Sequence, residues 1–117
     1  MSDRELLELA AKAAGLDLVW HADEVDEPWP FIDAHVRWNP LISDGDALRL
    51  AVGLHMRFEN WTTCVQASVA RHSVMAVCEE SYHRHDGDEL AATRKAIVLA
   101  ASEIGRDMQS KGQNRVD

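Results

Sequence analysis

The sequence has too little of several things to support some common functions. Its longest unbroken apolar run is the six residues Ala96–Ala101, against the roughly 20 that a membrane-spanning helix needs. Met1-Ser2-Asp3-Arg4-Glu5 carries acids where a secretory or mitochondrial leader would carry bases and then an apolar stretch. A cytoplasmic location without membrane association is therefore expected. Cys64 and Cys78 are the only cysteines, too few for a four-cysteine zinc site and not spaced as a Cys-x-x-Cys redox pair. If the chain turns at Ala70-Arg71-His72 they lie on neighbouring strands, and a reducing cytosol would keep them as thiols acting as small hydrophobes. The six glycines are scattered, so there is no phosphate-cradling loop, dinucleotide fingerprint or Gly-x-Ser-x-Gly elbow.

Basic residues are missing from one stretch altogether. Between Lys12 and Arg37 there is no Lys or Arg, while Asp17, Asp23, Glu24, Asp26, Glu27 and Asp33 fall there. The whole chain carries a net charge of −8; residues 1–46 hold 11 acids and 3 bases, the remainder 9 of each. Nucleic-acid affinity rests on cations that neutralise phosphates, so direct DNA or RNA binding is not expected, nor is binding to an anionic membrane.

The 117 residues, 46% hydrophobic and 27% charged, suit one globular domain. We expect a single α+β domain over 1–109 and a flexible polar tail over 110–117. Ser2 and Glu5 form a capping box, Leu6, Leu9, Ala10 and Ala13 recur at helical spacing, and Gly15 supplies a stop, which predicts a helix over 3–14. From Leu16 to Pro40 the periodicity fails; Pro28, Pro30 and Pro40 argue against a long regular element, leaving short extended pieces near Leu18–His21 and Phe31–Arg37. Ser43 caps a second helix whose inner face is expected to be Leu48, Ala51, Val52 and His55. Period-two alternation follows: Trp61, Thr63, Val65, Ala67 and Val69 share one side, expected to face the core, and Ser73–Ser81 and Met56–Glu59 read as neighbouring strands. A long C-terminal helix starts at Asp86 and Glu89 and carries the stripe Leu90, Ile97, Ala101, Ile104 and Met108. The expected architecture is thus a two- to three-stranded antiparallel meander packed by two N-terminal helices and this C-terminal one.

Two constellations bear on function. His83-Arg84-His85-Asp86-Gly87-Asp88 places two imidazoles one residue apart beside carboxylates, which on an extended segment would suit a metal-dependent enzyme centred on His83 and His85. The pattern lacks the further histidine after the aspartate, and the aspartates are equally suited to capping a helix, so no metal or other cofactor is expected. The second lies in the acidic stretch: Asp23, Glu24, Asp26 and Glu27 lead into Trp29 and Phe31, with Trp29 stiffened between Pro28 and Pro30. Rigid aromatics are the usual anchors of protein interfaces. These six residues are the expected partner-binding site; Trp20 and Trp38 are expected to anchor the loop to the core.

The blocks Trp38-Asn39-Pro40-Leu41, Asp44-Gly45-Asp46-Ala47-Leu48-Arg49-Leu50-Ala51-Val52, Ala92-Thr93-Arg94-Lys95-Ala96-Ile97-Val98 and Ala101-Ser102-Glu103-Ile104-Gly105 resemble small proteins of tailed bacteriophages and prophages, similar to the NinX-like group. The likeness covers about half of the chain and leaves out Leu16–Val36. It implies a phage origin and an α+β fold ending in a helix. The family has no assigned activity, so it implies no catalytic residues. The sequence as a whole reads as a phage accessory protein, not an enzyme, that binds a host or phage protein. One concrete form is a host-defence inhibitor whose acids imitate a phosphate track. A structural homodimer is the third reading, beside the metal-dependent enzyme.

Overall fold

The computed structural model describes residues 2–21, 29–32, 36–71 and 74–113. In chain order the elements are α1 (Asp3–Ala14), β1 (Leu18–His21), β2 (Trp29–Ile32), β3 (Val36–Arg37), α2 (Asp44–Gly53), β4 (Arg57–Asn60), β5 (Cys64–Arg71), β6 (Val74–Ser81), a 3₁₀ turn (Tyr82–His85) and α3 (Glu89–Gln113). The class is α+β. Among the described residues the strands form two three-stranded antiparallel sheets, ordered β1-β2-β3 and β4-β5-β6. The second sheet is the meander expected from the alternation. The first corrects the expected single sheet: it forms in the proline-rich segment, with Pro30 in its middle strand. Pro30 is accommodated because its carbonyl accepts from Trp38 N–H at 3.1 Å just beyond the two-residue β3. Its missing donor therefore falls where the ladder is already ending.

Local chemistry sets the helices. Ser2 Oγ accepts from Glu5 N–H at 3.2 Å and its hydroxyl donates to Glu5 Oε1 at 3.3 Å, opening α1. Gly15 closes it with φ +72°, its N–H bonding back to Ala11 and Lys12 carbonyls. Ser43 Oγ accepts from Asp46 N–H at 3.2 Å to open α2. Asp46 itself turns inward, its Oδ2 accepting from Asn39 N–H at 3.0 Å and its Oδ1 from Arg49 at 2.8 Å. That rotation buries Ala47, Leu50 and Ala51, with Leu54 following, and leaves Leu48, Val52 and His55 exposed. Of the inner face expected for this helix only Ala51 is correct. At the start of α3 the cap is Asp88, whose Oδ1 accepts from Ala91 N–H at 3.0 Å. Asp86, the expected cap, closes the preceding 3₁₀ turn with φ +55°.

Helix α3 is the centre of the molecule. Ala92, Ala96, Ile97, Val98, Ala100, Ala101, Ser102 and Ile104 are all buried, so it is apolar around most of its circumference, as a helix packed on several sides must be. It packs against β5 and β6, and also against α1 and α2. Val65, Ala67 and Val69 of β5 and Ala76 of β6 face it, buried as the alternation predicts; Trp61 and Thr63, expected on the same face, are exposed in the connection before β5, which starts only at Cys64. Gly105 sets the crossing with α1: a Cβ built there would sit 1.9 Å from Leu9 O. The helix runs on through Gln113, into the stretch 110–117 expected as a tail, and residues 114–117 lie outside the described residues.

The cysteines do not meet. Cys64 is paired with Ser81 and Cys78 with Ala67. Because Ala67 faces the core and Cys64 alternates with it, the two thiols point to opposite faces of the sheet. Both are free. No helix of the described residues is long and apolar enough to cross a membrane.

Candidate binding surface

A concavity lies between the first turns of α2 and α3 and the edge strand β4. It is an apolar groove of about 440 Å³. Leu48, Phe58 and Leu90 stand in it with 55%, 38% and 62% of their surface exposed, over a floor that includes Ala47 and Ile97. Three large apolar side chains exposed together make this a candidate contact surface. The groove is rigid by construction. Arg94 donates to Leu41 O at 2.9 Å and is ion-paired with Asp44, tying α3 to the entry of α2. On the far side Asn60 Nδ2 donates to Tyr82 Oη and Thr93 Oγ1, both at 3.0 Å, tying β4 to the 3₁₀ turn and α3. Glu89, exposed, adds one carboxylate to the rim beyond the Arg94–Asp44 ion pair.

Of the residues expected to bind a partner, the two that are described, Trp29 and Phe31, do not line this groove. Asp23, Glu24, Asp26 and Glu27 lie outside the described residues. Trp29 is 39% exposed at the start of β2, with the Arg37 guanidinium 4.9 Å from its ring centroid. Phe31, half-buried, packs edge-on against His21 at 5.1 Å. Trp38 is buried and Trp20 partly buried beneath Arg4, the anchoring roles expected of them. The groove residues have one signal in the sequence. Asp44-Gly45-Asp46-Ala47-Leu48 and Asp86-Gly87-Asp88-Glu89-Leu90 are the same Asp-Gly-Asp-x-Leu pattern, and both leucines face the groove. Helical periodicity had placed them in the core, because an apolar side chain recurs at the same spacing whether its neighbours belong to the same chain or not.

The histidine motif is arranged differently from the extended segment considered above. His83 and His85 lie in the 3₁₀ turn; His83 is exposed, and His85 Nε2 is 2.9 Å from Oε1 of the buried Glu80. Among the described residues no three His, Cys, Asp or Glu side chains are grouped to hold a metal ion. Cys78, on the same face as Glu80, has its thiol pushed up to about 11, first by burial and then by the Glu103 and Glu80 carboxylates. Cys64, on the other face, is also raised, by desolvation first and Glu79 second. Both shifts disfavour the thiolate and so oppose nucleophilic use.

No family model, no curated protein and no solved structure matches the chain.

Proposed function

We propose that this chain is a phage or prophage accessory protein that acts by binding another protein, of host or phage, and not by catalysis. The observation that carries the reading is the exposed apolar groove of Leu48, Phe58 and Leu90. The occupant that suits it is a partner segment presenting apolar anchors flanked by Lys or Arg. Leucine and phenylalanine supply the desolvated centre of such a contact. The net charge of −8, with Glu89 at the rim, favours a basic partner and accelerates encounter. A basic surface that normally holds nucleic acid fits this description, which is the form a host-defence inhibitor takes. Trp29, beside the acidic segment, is a second anchor within the same reading. The raised thiols and the engagement of His85 by Glu80 favour binding over chemistry.

The test compares capture from host lysate by the wild-type protein and by Leu48→Glu/Leu90→Glu, with both baits checked for folding by circular dichroism. The reading expects at least one basic protein to be retained by the wild type and lost from the variant. An identical capture profile for two folded baits would overturn the groove as the working surface.

A further inference from the structure

We propose that β6 is a self-association edge: two copies of this chain pair antiparallel along Val74–Ser81, merging their β4-β5-β6 sheets into one six-stranded sheet. β6 is the outer strand of its sheet and, at eight residues, one of the two longest in the molecule. The direction of its free hydrogen-bonding groups follows from a single contact. Tyr82 N–H donates to Thr63 O at 3.0 Å, and these two residues continue the register that pairs Ser81 with Cys64 and Val74 with Arg71. In an antiparallel ladder, hydrogen-bonded and non-hydrogen-bonded pairs alternate. Glu80, Cys78 and Ala76 therefore turn their backbone groups toward β5, and Met75, Val77, Glu79 and Ser81 turn theirs outward. Among the described residues no backbone group outside the sheet bonds to these four.

Proteins that stay monomeric usually blunt such an edge with proline, lysine, a bulge or a short strand. β6 has no proline, lysine or bulge and pairs with β5 residue for residue over its whole length; its two charges, the exposed Glu79 and the inward-pointing Glu80, are confined to its C-terminal end, and Val74–Cys78 carries none. Met75 and Val77 are exposed on the open face of the sheet.

The occupant is a second copy because the edge is complementary to itself in one register. The outward-facing residues are all odd-numbered, so a two-fold pairing must place odd opposite odd. Two such registers join seven residues of each strand. Centred on Cys78, Glu79 would oppose Val77 of the second copy, bringing the two Glu79 side chains into diagonal contact on one face. Centred on Val77, the two valines oppose each other, Met75 lies against the aliphatic stem of Glu79, and the two Glu79 carboxylates are four strand positions apart. Like charges close together on a sheet face are destabilising, so the Val77-centred register is favoured. Because the two-fold axis is perpendicular to the sheet, α3 of each copy stays on the same side and the Met75–Val77 face stays open. This edge is separate from the groove proposed above for a partner, and either can fail without the other.

Sedimentation velocity over a concentration series on the full chain is the test. The wild type should shift from monomer toward dimer as concentration rises, and added salt should strengthen the association, because each copy carries −8. Val77→Pro deletes an outward N–H and no bond of the β5–β6 ladder. It should weaken association by about tenfold or more while keeping the wild-type circular dichroism. If that variant does not fold, Val77→Lys replaces it with the same expectation. In a Cys64→Ser background, Val77→Cys should oxidise readily to a dimer joined through residue 77, since opposed hydrogen-bonded pairs lie about 5.5 Å apart at Cα, within disulfide reach. A wild type that stays monomeric at the highest soluble concentration overturns the proposal. So does a dimer that survives both Val77 substitutions and weakens with salt.

Discussion

At Gly105 the α1–α3 contact leaves no space for a side chain, because any Cβ would overlap the Leu9 carbonyl. Gly105→Ala must push the two helices apart, and it should cost several kcal/mol, at the upper end of overpacking effects of about 1–3 kcal/mol or beyond. Gly53, where an added Cβ meets nothing, is the control: chemical denaturation should find Gly53→Ala close to neutral or stabilising. Ile97, buried beneath the groove, should lose about 2–5 kcal/mol on Ile97→Ala. Cys78 makes a pH prediction. Its thiol is raised from 9.0 to about 11 in the folded state, so the folded protein holds this proton more tightly than the unfolded chain. That contribution is complete below about pH 9 and is lost as the pH rises through about 11. Thermal midpoints of wild type and Cys78→Ser should therefore converge or cross over that window, with the wild type losing more.

At the scale of elements, how much could be read from the sequence depended on whether the signal was local. Both ends of α1 were legible because Ser2, Glu5 and Gly15 each act within one turn. The strands β5 and β6 were legible because burial on one face enforces period two. The rotation of α2 was not, since two stripes, 47/50/51/54 and 48/51/52/55, fit the helical period equally well. What decides between them is Asp46, which turns inward to accept from Asn39 seven residues earlier, a contact no local pattern encodes. Pro30 was misleading for the same reason: its effect depends on which neighbour its missing N–H faces. Asp46→Ala should therefore destabilise by about 1–3 kcal/mol, by leaving the Asn39 N–H unpaired in a partly buried site. Ser43→Ala should cost about 1 kcal/mol as a simple cap loss. Urea melts of the two variants separate the contributions, because Asp46→Ala keeps the backbone N–H that donates to Ser43 Oγ; a loss near zero for Asp46→Ala would mean that the Asn39 contact does not hold the helix in this rotation.

At the scale of the whole molecule, a central helix covered by one sheet on one side and by α1 and α2 on others leaves two features unsatisfied. One is the groove where the first turns of α2 and α3 converge on β4; the other is the free edge of β6. The groove is assembled from three elements, and Leu48 and Leu90, each read on its own helix, fall on a stripe expected to be core. The net charge of −8 bears on both proposals: it would speed encounter with a basic partner and would oppose self-association until salt screens it. Binding kinetics should divide these roles. With a captured basic partner, raising the ionic strength should slow association, while Leu90→Ala should speed dissociation with the salt dependence unchanged.

The most direct measurement of the central claim is quantitative capture from host lysate by wild-type and Leu48→Glu/Leu90→Glu baits of equal folded content. The account predicts that a basic protein enriched on the wild type is absent from the variant. Equal enrichment on both would contradict it.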